Sequence, residues 1–174
     1  GHKKSKTERW LAKITLAPVA YGHFFVEHNK GHHKNVATPE DPASARMGES
    51  FWRFLPRTMI GSVKSAWQIE AQRLARCEEP LWSLKNENLQ AWLMTVVLFG
   101  LLTLWLGWIV LPFLLLQAFY GASLLEVINY MEHYGLLRQK KADGRYERCE
   151  PKHSWNSNHI VTNLFLYQLQ RHSD

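Results

Sequence analysis

Between Glu87 and Glu126 the chain has no Asp, Glu, Lys or Arg, and these 38 successive positions are dominated by Leu, Trp, Val and Phe. That lack of charge excludes a surface helix of a soluble domain, which keeps a polar face towards water. The run is also too long for a single core helix. A bilayer crossing takes roughly 20 apolar residues, so the run has room for two short crossings. Cysteine is scarce as well. Cys77 and Cys149 show no paired metal-binding spacing, which excludes a disulfide framework and leaves two free thiols expected in a reducing compartment. Repeats, low-complexity tracts, strand patterns of useful length and any sign of a second domain are missing too, so an all-α architecture in one partial domain, 1–174, is expected. The formal charge of +6 is not gathered into a basic stripe beside a nucleic-acid-reading motif, so nucleic acid is not an expected partner.

What is present sits around the uncharged run. Gly107, Trp108 and Pro112 lie near its middle, where Gly weakens helix and Pro removes a backbone donor. A transmembrane hairpin is therefore predicted, with arms at about 89–107 and 111–130. The competing picture is one long kinked helix. Trp92, Trp105, Trp108, Tyr120 and Tyr130 fall near the predicted ends, as interfacial aromatics do. Arg73, Arg76 and Lys85 precede the hairpin and Arg138, Lys140, Lys141, Arg145 and Arg148 follow it, which by the positive-inside rule sets both flanks in the cytoplasm.

Elsewhere the pattern is helical with polar breaks. Trp10 to Phe25 is moderately apolar but interrupted by Lys13 and Pro18, and a turn is expected at Ala17-Pro18. Thr38-Pro39-Glu40-Asp41 and Asp41-Pro42-Ala43-Ser44 are turn or helix-start signals, so 34–48 reads as an ordered loop. Phe51 to about Arg76 is an amphipathic helix, with Pro56 and Gly61 as possible bends. Asp143-Gly144 marks a turn, and a last helix is expected from Ile160 to about Gln170, capped by Ser157 or Asn158.

Histidine carries the chemistry. His28, His32 and His33 fall within six positions, which is metal-ligand spacing. On a regular α-helix His28 and His32 are about 40° apart, whereas His33 points about 100° from His32, which suits a second metal better. His133 follows the second apolar arm, and His2 and His172 lie near the two ends of the chain.

Four stretches together resemble the sequence motifs of the membrane-bound alkane 1-monooxygenases: Gly1-His2-Lys3-Lys4, Glu27-His28-Asn29-Lys30-Gly31-His32-His33, Asn129-Tyr130-Met131-Glu132-His133-Tyr134-Gly135-Leu136, and Leu169-Gln170-Arg171-His172-Ser173-Asp174. They occur in that family's order and span the whole chain. The resemblance implies an integral membrane helical bundle in which the hairpin carries cytoplasmic, histidine-bearing helices. It further implies a non-haem di-iron centre that inserts one oxygen atom of O2 into the terminal C–H bond of an n-alkane. By motif the iron ligands would be His2, His28, His32, His33, His133 and His172. His23, His153 and His159 match no ligand position and are expected to act structurally, by capping, hydrogen bonding or support of the ligand rings. Electrons would come from rubredoxin, reduced by an NADH-dependent reductase, at the cytoplasmic side of a bacterial inner membrane.

The first motif lacks its leading histidine and the last its two closing ones, so the expectation is an internal fragment, inactive by itself, of a longer enzyme. A site of neutral imidazoles gives nearby carboxylates weight, and Glu27, Asn129, Glu132 and Asp174 are candidates for orienting the ligand rings. For Glu27, Glu132 and Asp174, salt bridges to Arg or Lys are an equal alternative. Imidazole alone does not select iron over zinc, copper or nickel. A membrane fatty-acyl desaturase and a xylene-type monooxygenase share clustered histidine motifs and are the nearer alternatives. A histidine-based metal transporter is the more distant one, since residues 88–125 hold no acidic residue or His along a crossing path.

Overall fold

The computed structural model describes residues 6–155, whose regular elements are helices joined by turns and loops. The elements are α1 (Lys6–Leu16), α2 (Phe24–Glu27), a π-helical turn (His28–His32), α3 (His33–Asn35), α4 (Phe51–Arg76), α5 (Glu87–Leu106), α6 (Val110–His133) and a 3-10 turn (Pro151–His153). Among the described residues the only β pairing is an isolated bridge, Lys140 to Tyr146, around the Asp143-Gly144 turn. His2, His159, His172, Asp174 and the expected helix from Ile160 with its caps lie outside the described residues. The chain divides into two compact units. One takes the chain up to Gly31 together with Ser62–Leu124, and the other takes His32–Gly61 together with the chain from Leu125 onward.

In the first unit α1 ends at Leu16, because Pro18 has no N–H to continue the helix and disfavours helical geometry at Ala17. The turn that follows reaches φ 51° at Ala20. Asn86 starts α5 by accepting from the N–H groups of Asn88 and Leu89, and Gly107, at φ 87°, ends it. Pro112 does not break α6 but sits in its first turn, where no N–H is needed. The apolar run is therefore two helices rather than one kinked helix. They pack through buried Phe99, Leu114 and Ala118, with Leu98, Leu102 and Val110 beside them. At 20 and 24 residues they are about 30 and 36 Å long. Both are long and apolar enough to cross a membrane. Leu104 is 84% exposed and Ile109 87%, so these side chains are placed for lipid or further helices rather than for a soluble core.

Trp105, Trp108 and Tyr120 are exposed, as interfacial aromatics would be. Trp92 and Tyr130 are not of that kind. Trp92 stacks on Trp67, with centroids 5.9 Å apart, and the Tyr130 hydroxyl donates to the Glu49 carbonyl at 2.7 Å. Each has its polar tip or ring face satisfied by the protein. Cys77 and Cys149 are exposed free thiols.

Gly22 marks a close approach in this unit. A Cβ there would stand 2.5 Å from the Ala91 Cβ of α5. Gly22→Ala is expected to destabilise by about 1–3 kcal/mol through overpacking. A melting temperature of the full-length protein in detergent that failed to fall would contradict this contact.

The second unit is built around the loop between α3 and α4. The loop is ordered, as its turn signals predict, but it is also largely buried: Val36, Ala37, Thr38, Asp41, Ala43, Ser44 and Ala45 are all inside. Buried backbone needs partners, and charged side chains supply them. Arg57 forks onto Glu49 at 2.7 and 2.8 Å and donates to the carbonyls of Pro42 and Ser44. Arg138, just beyond α6, donates to the carbonyls of Lys34 and Val36, and its own N–H reaches the Ala37 carbonyl at 2.8 Å.

Candidate metal centre

The histidine segment is not a regular α-helix. His28–His32 winds as a π-helix, in which each N–H reaches five residues back instead of four. The 40° and 100° offsets of an α-helix therefore do not apply to His28, His32 and His33. Short π segments of this kind concentrate at functional sites.

His32 and His133 come together in the second unit. Both side chains are completely buried, and their ring centroids lie 4.8 Å apart. The Nδ1 of His32 faces the Asp41 carboxylate at 2.9 Å. The Nδ1 of His133 faces the His153 carbonyl at 3.2 Å, with the Ser154 hydroxyl at 3.4 Å. A carboxylate or carbonyl oxygen can only accept, so in each neutral ring Nδ1 carries the proton and Nε2 the lone pair. Metal-binding imidazoles are held in this way, with one nitrogen oriented by an acceptor and the other turned to the metal.

Asp41 is itself well held. Its Oδ2 also accepts from the Ser44 hydroxyl at 2.5 Å, and Oδ1 accepts from the Ala43 N–H at 3.1 Å. Burial alone would raise its pKa, but the His32 imidazole and these two donors keep the carboxyl below the usual carboxylate range. Asp41 is the site residue that sequence reasoning missed. Its only signal was its place in a turn motif.

The other predicted residues divide. His33 is exposed, with its ring centroid 5.8 Å from that of His32. His28, in the first unit, is half-buried and stacks on Phe24 at 4.8 Å. Glu27, in the same unit, is buried and accepts from the Ser65 hydroxyl at 3.4 Å. Glu132 is buried, with its Oε2 4.0 Å from the His133 Nε2, beyond hydrogen-bonding reach. Asn129 donates its amide to Glu126, a fully buried carboxylate that also accepts from Thr58 at 2.8 Å. Among the described residues no group of three or more His, Cys, Asp and Glu side chains is arranged to hold an ion.

Two histidines outside the ligand motifs are buried for other reasons. Trp92 donates its indole N–H to the Nδ1 of His23 at 3.4 Å, and burial pushes that imidazole down to about 4, so it is neutral at physiological pH. His153 accepts the Glu150 N–H at its Nδ1 and pairs with Glu147 at 3.1 Å through Nε2, while its carbonyl orients His133.

The sequence that builds this arrangement matches known proteins. The fatty acid desaturase family model matches residues 1–174. The chain belongs to the fatty acid desaturase family. Within it, the chain is 57% identical to the alkane 1-monooxygenase of Pseudomonas putida and 56% identical to alkane 1-monooxygenase 1 of Alcanivorax borkumensis, over all 174 residues in both cases. The chain spans 43% of the length of each of these relatives. The xylene/toluene monooxygenase hydroxylase component of Pseudomonas putida is 30% identical over 142 residues, which are 79% of this chain and 38% of that protein. The similarity is thus much stronger to the alkane enzymes than to the xylene enzyme, in agreement with the motifs.

Proposed function

We propose that this chain is part of a membrane alkane 1-monooxygenase that converts n-alkanes to 1-alkanols with O2 and electrons delivered by rubredoxin. The observation that carries the proposal is the buried pair His32 and His133, each with Nδ1 on an acceptor and its lone pair on Nε2. Identity of 56–57% to alkane 1-monooxygenases over the full chain supports the choice of substrate.

His2, His28, His32, His33, His133 and His172 would hold two iron ions, together with histidines supplied by the rest of the protein. The iron would supply the O2-activating redox chemistry. The chain's own residues do the rest. Asp41 and the His153 carbonyl orient two of the rings, and complete burial of those rings keeps water away. The apolar faces of α5 and α6 suit an alkane arriving from the bilayer, and the basic flanks suit an acidic electron donor at the cytoplasmic face of a bacterial inner membrane.

Product analysis of the full-length protein with rubredoxin, its reductase and NADH tests this reading. Octane is expected to give 1-octanol. A double bond in an acyl chain, or oxidation of an aromatic methyl with octane untouched, would assign the chain to another branch of the family.

A further inference from the structure

A second site lies in the first unit, where α1 packs against the start of α5. It is a cleft of about 230 Å³ lined by Arg9, Lys13, Arg73, Lys85, Glu87 and Gln90, none of which is a candidate iron ligand or a group that orients one. Lys13 is 4% exposed, and its ammonium donates to the Gln90 carbonyl at 2.6 Å and lies 3.8 Å from Glu87. Arg73 is clamped on Glu70 at 2.8 and 2.7 Å and also donates to the Lys85 carbonyl. Arg9 stands 3.5 Å from Glu87, and Lys30 and Lys85 pair with Glu70 and Glu79. These carboxylates position the cations without cancelling them, because five cations meet three carboxylates. Burial, only partly offset by Glu87, holds the Lys13 ammonium below its ordinary value, as expected of a cation short of counter-charge.

The surroundings indicate the kind of anion. Trp10 completes the cleft wall, and Trp10, Leu11 and Ile14 leave about half of each side chain exposed along α1. A short helix with apolar residues on one side and Lys and Arg on another lies well in a membrane interface. The cleft also opens at the first turn of α5, a helix long and apolar enough to cross a bilayer, which would set it at headgroup depth. We propose that this cleft binds the phosphate headgroup of an anionic phospholipid, whose acyl chains run along Leu11 and Ile14. At about 230 Å³ the cleft has room for one phosphate group. The apolar strip beside it gives acyl chains a contact that free phosphate would not use. The assignment rests on α5 crossing the membrane and is independent of the metal centre.

The test uses the full-length protein in nanodiscs of phosphatidylcholine with or without phosphatidylglycerol, and native mass spectrometry to count retained lipids. Retention of phosphatidylglycerol over phosphatidylcholine is expected, and the double variant Arg9→Gln/Lys85→Gln is expected to weaken that preference by about tenfold. Both side chains are well exposed, so an unchanged melting temperature should accompany the loss. Lys13→Met, read the same way, tests the buried cation. No headgroup preference in the wild type would overturn the proposal, and so would a preference that both variants leave intact. Inorganic phosphate binding equally tightly in lipid-free detergent, and lost in the double variant, would reassign the cleft to a free anion.

Discussion

His32→Ala and His133→Ala, made singly in the full-length protein, are each expected to lose bound iron and alkane hydroxylation by more than about 100-fold, the upper range for losing a partner that merely orients a ligand. Both rings are fully buried, both have Nδ1 committed to an acceptor, and their centroids are 4.8 Å apart. Removing either leaves its acceptor buried without its donor, so stability will fall as well. His133→Gln, closer to the ring in volume, separates the two effects: it should retain the fold and still lose iron. The comparison is His153→Gln. His153 is also buried, but its part in orienting His133 is played by its backbone carbonyl, while its side chain caps Glu150 and pairs with Glu147. That variant is expected to keep iron and turnover to within a few-fold. Iron retained by His133→Ala, or lost equally in His153→Gln, would defeat the ligand assignment.

The hairpin was legible in the sequence because a charge-free run of that length has few physical solutions, and Gly107 breaks it near its centre. The bounds of α4 were legible too, since its amphipathic pattern begins and ends at Phe51 and Arg76, where the helix does. The histidine spacing pointed to metal chemistry but gave no sign of the winding of the segment. Pattern reading assumes about 100° per residue, and a π turn is chosen by packing instead. At Gly31, inside that turn, a Cβ would stand 2.6 Å from the Glu27 carboxylate and 3.0 Å from the Ser65 hydroxyl, so only glycine fits without rearrangement.

The orienting groups were the least legible part. Sequence reading turned to Glu27 and Glu132 because each precedes a histidine; Glu27 accepts from Ser65, and the Glu132 carboxylate lies 4.0 Å from the His133 Nε2 rather than at its Nδ1. Asn129 is one turn before His133 and on its face, yet its amide goes to Glu126. The groups found on the two Nδ1 atoms, Asp41 and the His153 carbonyl, come from segments outside the long helices. No periodicity encodes them, because they depend on how the loop after α3 and the chain after α6 fold back. Burying that loop is what Arg57 and Arg138 make possible, by satisfying its carbonyls.

Asp41→Asn is therefore expected to lower iron affinity or turnover of the full-length enzyme by about 10–100-fold, although it changes only one atom of a residue that no histidine motif includes. Asp41 receives three donors on two oxygens: His32 Nδ1 and the Ser44 hydroxyl on Oδ2, and the Ala43 N–H on Oδ1. An asparagine has one acceptor oxygen. Turned one way, its NH2 meets the Ala43 N–H; turned the other, it meets the His32 N–H and a Ser44 hydroxyl already accepting from Ala37. Either choice strands a buried donor, at about 1–3 kcal/mol. It also removes the charge that makes the ring a stronger ligand. Asp41→Ala should be worse, because nothing then fixes the His32 tautomer, whereas Ser44→Ala, which removes one of the three donors, should cost less than either. Reconstitution with excess ferrous iron distinguishes orientation from misfolding: a weakened ligand recovers activity as iron is raised, and a misfolded protein does not. If Asp41→Asn bound iron and turned over like the wild type, His32 would not be held for a metal by this carboxylate, and the loop would have only a structural role.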